Sequence, residues 1–230
     1  MYIYHGTNAK SIPEILKHGI RSRSETGGEN RWGEYPSRKD MVYLSTHYAP
    51  YFASGKCSSE DHPAIIRIKL NSLVTDAMYP DEDFIAARLQ TEPGLETLVQ
   101  KTEWARKHLF VLQEYTQDSL EHLGNIAYHG TIFPDQIDQI ITFDPKSNPA
   151  IYGMSLDPTI TIMNKFIMGR KYKMLSEWFF EEKSEKDFEE VMMIPKPDEN
   201  TPEAFHGMWN AQIKYWGKRS GITTVLNNSK

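Results

Sequence analysis

Two short stretches carry the residue types that could hold and activate a small ligand: Tyr4-His5-Gly6-Thr7 near the start, and Val42-Tyr43-Leu44-Ser45 with Tyr48 and Tyr51 behind it. An imidazole can hydrogen-bond a hydroxyl, glycine lets a ligand come close to the backbone, and an aromatic face suits a cationic ring. Taken alone, His-Gly-Thr after a strand is a turn, and Tyr43, Tyr48 and Tyr51 are at the spacing of core or helix-face aromatics. A basic group, Arg21, Arg23, Arg31, Arg38 and Lys39, surrounds the stretch between them and is of the type that clamps phosphates, or else is a solvated loop. Tyr79-Pro80-Asp81-Glu82-Asp83-Phe84 puts three acids between two aromatics. A metal site or a carboxylate reaching a pocket from elsewhere in the chain would use such residues, but the flanking ligands of a calcium loop are missing, and the preferred reading is a turn leading into a helix with its acids near the N-terminus.

The elements that position these residues follow from pattern. Tyr2–Tyr4 is a short strand, and Ile12, Ile15 and Leu16 mark a helix that Ser11 and Pro13 begin and Gly19 ends. Residues 21–40 are polar, aperiodic and long for a loop, a length often associated with function. A second strand over Met41–Leu44 leads through Ser45-Thr46 into a helix over Tyr48–Ser54, and Ala64–Leu70 alternates as a strand should. Residues 81–90 and 96–110 read as helix or loop, and strands are expected over Asn125–Ile132 and Ile137–Phe143, with Pro134-Asp135 turning between them. Beyond Pro149 apolar positions recur at helical spacing from Ile162 to Phe179, and Thr201-Pro202-Glu203 has the form of a helix start. Lys165, Arg170, Lys171 and Lys173 intermix there with Phe166 and Tyr172, a mixture that nucleic-acid contact or an amphipathic helix would equally use.

The order of strand, His-Gly-Thr, helix, Gly, long polar loop, strand with Tyr, Ser cap and helix resembles the NAD site of the ADP-ribosyltransferase superfamily. The branch is that of diphtheria toxin and the poly-ADP-ribose polymerases, with similarity also to the tRNA 2′-phosphotransferases and the DNA ADP-ribosyltransferase toxins. Residues 1 to about 54 carry the match, and Ile132-Phe133-Pro134 with Ile137 looks like the last strands of that fold. The resemblance implies an α+β fold, a split β-sandwich with flanking helices, as a catalytic domain over 1–148, followed by a mainly helical C-terminal extension over 149–230. It implies NAD as substrate with no metal: His5 on a ribose hydroxyl, Gly6 at the nicotinamide carboxamide through its backbone, and Tyr43 or Tyr51 stacked on the nicotinamide. Thr7, Ser45, Tyr48 and Arg21 complete the expected NAD contacts.

Toxin-like relatives also open the strand before the final hairpin with a glutamate. Here that slot falls near Asn125 or Ile126, neither acidic, with Glu121 one short turn upstream and Glu114 further off. Either the strand begins earlier and Glu121 is the catalytic carboxylate, the preferred reading, or the enzyme works without one. Asp118 and Glu121 before Gly124 also fit a solvated loop. The expected function is transfer of ADP-ribose to a macromolecular acceptor, nucleic acid ahead of protein, as a toxin or phage-defence effector with an antitoxin partner. The alternatives are a non-catalytic domain of the same fold that binds NAD or a partner, and an RNA 2′-phosphotransferase-like enzyme.

Bulk properties limit this reading little. The chain has 230 residues, 39% hydrophobic and 12% aromatic, enough for one substantial core. A net charge of −5 gives no global attraction to nucleic acid or anionic membrane, although a local basic groove can exist within it. The lone Cys57 excludes an intramolecular disulfide, and the absence of a signal-peptide pattern or long apolar run points to the cytoplasm and away from membranes.

Overall fold

The computed structural model describes residues 1–29, 37–46, 48–55, 61–88, 93–143, 176–177, 179–180, 199–200 and 222–228. Within these residues the chain is α+β. Seven strands form one antiparallel open sheet: β1 (Tyr2–Asn8), β2 (Val42–Ser45), β3 (Pro63–Lys69), β4 (Met78–Pro80), β5 (Asn125–Tyr128), β6 (Ile137–Phe143) and β7 (Ile222–Asn227). Their spatial order is β4-β5-β2-β1-β3-β6-β7. The helices are α1 (Ile12–His18), α2 (Arg23–Thr26), α3 (Ala49–Gly55), α4 (Glu82–Arg88), α5 (Leu98–His108) and α6 (Thr116–His122).

Alternation along β1 builds two cores, because successive side chains leave a strand on opposite faces. Ile3 joins Leu44, Ile66, Ile126 and Ile140 on the face covered by Ile12 and Ile15 of α1. Tyr4 joins Ile65 and Ile141 on the other, under Ala49 and Ala53 of α3, Phe84 and Ile85 of α4, and Ala105 of α5. No helix among the described residues is long and apolar enough to cross a membrane.

Two glycines decide how closely elements approach. A Cβ on Gly6 would lie 2.2 Å from the Ala49 carbonyl oxygen and 2.6 Å from the Ala53 nitrogen, so α3 can rest on β1 only because this residue has no side chain. The sequence pattern ends the first strand before Gly6, whereas β1 continues through it to Asn8, held by β3 along its whole length. Gly19 ends α1 at a φ of 79°, and a Cβ there would meet the Ile132 carbonyl oxygen at 2.3 Å, just where Ile20 bridges Ile132.

Beyond these, the long loop after Gly19 contains the short α2, whose Ser22 and Glu25 form a capping box. Short β4 was not visible in the pattern. The expected helices over 161–182 and from Thr201 lie largely outside the described residues, as do Lys165, Arg170, Lys171 and Lys173. The last described segment, Ile222–Asn227, is a strand on β6, so the C-terminal extension contributes to the sheet as well. Its Ile-Thr-Thr-Val run is the β-branched composition that suits a pleated edge.

β3 and β6 meet at a bulge: Arg67 faces Gln139 and Ile68 faces Ile137, leaving Asp138 as the extra residue. Its buried carboxylate accepts from Arg67 Nε at 2.7 Å and lies 3.2 Å from Lys69 Nζ. Tyr2 and Phe180 stack on the Arg67 guanidinium, with ring centroids at 4.4 and 5.0 Å. Removing one partner of a buried pair strands the other charge in a poorly solvated place. Asp138→Ala should therefore lower unfolding free energy by about 3–5 kcal/mol in urea denaturation, far more than Asp135→Ala in the neighbouring exposed turn.

Candidate functional site

β2 carries the centre of the site. Tyr4 and Ser45 form the one register pair between β1 and β2, and His5 is the next residue along β1, half-buried. The His5 ring reaches β2 with a hydrogen bond from Nδ1 to the Tyr43 carbonyl oxygen at 3.0 Å. Because a carbonyl only accepts, Nδ1 carries the proton, and Nε2 is the acceptor of the neutral ring.

The other end of Tyr43 meets a carboxylate. Its hydroxyl donates to Glu82 Oε1, and the Arg38 backbone N–H reaches both groups, at 2.9 Å to the Tyr43 hydroxyl and 3.2 Å to Glu82 Oε1. Glu82 is the first residue of α4 and only 4% exposed. The turn that delivers it is fixed by Asp81, whose carboxylate accepts from the Asp83 N–H at 2.8 Å. The Asp81 N–H in turn donates to Ser119 Oγ, which donates to the Asn125 carbonyl oxygen at 2.8 Å. Since β4 pairs with β5 and β5 with β2, this network sets the α4 start beside the Tyr43 strand.

Burial, and then the adjacent Asp81 charge, push the Glu82 carboxyl up to about 7, against the hydrogen bonds from Tyr43 and Arg38 that favour its ionised form. Burial, with Glu82 nearby, raises the Tyr43 phenol well above its ordinary range. A carboxyl poised near neutrality can exchange a proton with a reacting group or stabilise a developing positive charge.

The sequence expectation put a carboxylate here from Glu121. That residue lies exposed on α6, where it accepts from Gln117 Nε2 at 2.6 Å. The head of β5 is Asn125, 1% exposed, with neither amide atom hydrogen-bonded. Glu82 comes instead from the neighbouring strand-to-helix turn, within the acidic Tyr79–Phe84 stretch. Its signal was three acids after a β-type Met78-Tyr79, but acids at a helix N-terminus have an ordinary explanation in the helix dipole.

The remaining expected ligand contacts are distributed unevenly. Gly6 and Thr7 are buried beside His5 in β1. Ser45 Oγ donates to the Gly124 carbonyl at 3.1 Å and accepts from the Tyr48 N–H at 2.6 Å, so it caps α3 and ties it to the head of β5. Tyr48 is 1% exposed and packs edge-on against Phe52, inside the core with Tyr4. Tyr51 belongs to α3, but its side chain lies outside the described residues, as does Arg31. Arg21 follows Ile20 and lies 3.9 Å from Glu14, with its Nε buried and not hydrogen-bonded. Arg23 holds the far end of its loop through the Ser37 carbonyl at 2.5 Å. Among the described residues no group of three or more His, Cys, Asp or Glu side chains could hold a metal ion.

No protein-family model matches the chain, and no curated protein matches it either. The site's chemistry must therefore be argued from its own residues.

The Glu82 shift has a measurable consequence. The folded state keeps the proton on Glu82 up to about pH 7, whereas the unfolded chain releases it around its ordinary 4.5. Stability thus falls as pH rises between those values, and the penalty is complete above 7. Glu82→Gln, which keeps the Tyr43 hydrogen bond without the charge, should gain about 2–3 kcal/mol over the native protein at pH 8 relative to pH 4. Thermal melts across that range check this; parallel pH curves for the two proteins would contradict it.

Proposed function

We propose that this chain is an NAD-consuming ADP-ribosyltransferase that cleaves the nicotinamide–ribose bond and passes ADP-ribose to a macromolecular acceptor. The observation that carries the proposal is Tyr43, engaged at its carbonyl by His5 and at its hydroxyl by the buried Glu82. The likeness of Tyr4-His5-Gly6-Thr7 and Val42-Tyr43-Leu44-Ser45 to the superfamily's NAD motifs supports it, as does the antiparallel α+β architecture, although the seven strands form one open sheet where a split sandwich was expected.

The reaction asks little acid catalysis of the protein, because nicotinamide departs as a neutral molecule and takes the bonding pair with it. What remains is an oxocarbenium-like ribosyl cation that must be stabilised and aimed. In the proposed roles His5 Nε2 accepts from a ribose hydroxyl and fixes the sugar. Tyr43 lines the nicotinamide side, and the backbone at Gly6 meets the carboxamide. Ionised Glu82 faces the developing cation and takes the proton from the acceptor as its oxygen or nitrogen bonds to the anomeric carbon. Ser45 and Tyr48 act at one remove, by fixing α3 on the strand that carries His5.

The test is nicotinamide release from NAD by the purified chain, alone and with RNA, DNA or extract protein. Release should require His5 and rise with pH through about 7 as Glu82 ionises. Glu82→Gln should lower the rate by about 10²–10⁴-fold and flatten that profile. Glu121→Gln is the discriminating comparison: its cost should be far smaller, and the reverse ranking would return the carboxylate's role to Glu121. NAD binding without release under any condition would favour a non-catalytic domain instead.

A further inference from the structure

Beside the Tyr43–Glu82 pair lies an open cleft of about 340 Å³ lined by Ser37, Arg38, Lys39, Asp40, Arg106 and Lys107. Four of those six side chains are cationic and one is acidic, in a chain whose net charge is −5. Such a local reversal of sign attracts a polyanion. The cleft is joined to the site by the Arg38 residue itself, since its backbone N–H serves Tyr43 and Glu82 while its side chain forms the cleft wall.

That wall is rigidly built. The Arg38 guanidinium takes Asp40 through Nε at 2.9 Å and a terminal nitrogen at 2.6 Å, and donates to the Arg106 carbonyl at 2.9 Å. It also stacks on the Phe110 ring, 4.4 Å from the centroid. Tyr79 and His129 pack edge-on to Phe110, which fixes its plane, yet Phe110 remains 41% exposed. Phe110 stands against the Arg38 guanidinium outside the cleft lining, and its exposed part adjoins the cationic groove, a combination by which bases stack and phosphates are held. An acidic peptide would use the cations but gain nothing from the ring.

Lys107 pairs with Glu103 at 3.0 Å, both well exposed, and such surface pairs are weak enough for a phosphate to displace. Lys39 is exposed on the facing wall.

We propose that this cleft receives single-stranded nucleic acid, with phosphates along Lys39, Arg106 and Lys107 and a base on Phe110, so that the strand passes beside Glu82. The inference rests on the proposed transferase reading and names its acceptor class and the surface that seats it.

The experiment is fluorescence anisotropy of a labelled 12-nucleotide oligouridylate and the matching oligothymidylate, titrated with the full chain at 50 and 200 mM salt. The native protein should bind at least one of them and lose affinity steeply with salt. Lys39→Glu with Lys107→Glu should weaken binding by at least ~10-fold and reduce the salt slope by roughly 1–2. Phe110→Ala should weaken it by roughly 10-fold with the slope kept, since stacking is not ionic. Thermal melting of each variant establishes that it is folded. The proposal is overturned by absent oligonucleotide binding, by binding indifferent to both variants, or by polyglutamate displacing the oligonucleotide at equal charge concentration. Binding is read without NAD, so its failure is separate from failure of the transferase reading, which nicotinamide release by the native protein reports alone.

Discussion

A carboxyl group taken out of water must be given donors or keep its proton, and the burial of Glu82 under Tyr43 organises much of what surrounds it. The Tyr43 hydroxyl and the Arg38 N–H supply two donors. Arg38 can present its backbone there because its side chain is pinned by Asp40, the Arg106 carbonyl and the Phe110 ring. One carboxylate thus links β2, the end of the long loop, the start of α4 and the end of α5. Loosening any of these would let water reach Glu82 and return it toward an ordinary carboxylate.

The sheet supplies the complementary feature, an interruption. β1 is fully paired on its β3 side and has a single register pair on its β2 side, so His5 has the Tyr43 backbone to hydrogen-bond. Gly6 permits this arrangement by bringing α3 onto β1 at a distance no other residue allows, and Ser45 secures the opposite end of α3 to the head of β5. Some of the residues that resemble ligand contacts in sequence, Gly6 and Ser45 among them, therefore hold the frame.

The elements that carry His5, Gly6 and Tyr43 were legible because each lies on a local pattern: a strand, a glycine, a helix with a glycine stop, then a strand with a serine cap. β3 was equally plain from its apolar alternation, β6 from its β-type run, and α1 from its spacing and Gly19. Glu82 was not, because its role depends on pairing between β4, β5 and β2, which no local window contains. Acids at the start of a helix look the same whether they face solvent or a tyrosine from another strand. Asn125 shows the converse: the strand head was located correctly, yet the buried carboxylate against Tyr43 comes from the neighbouring turn. β7 was missed because its β-branched run is short, and its partner strand ends almost eighty residues earlier, at Phe143. The Asp138 bulge likewise exists only once two strands are in register.

The proposed transferase role requires Glu82 to be a buried carboxyl, held by Tyr43, that senses NAD when NAD binds. An NMR titration of the Glu82 side-chain carbon, assigned by loss of its signal in Glu82→Gln and run with and without NAD, tests this most directly. The account predicts a midpoint near 7, a higher one in Tyr43→Phe, where a donor to the ionised form is lost, and a displaced signal when NAD is added. A midpoint in the ordinary glutamate range, unmoved by Tyr43→Phe and indifferent to NAD, would contradict it.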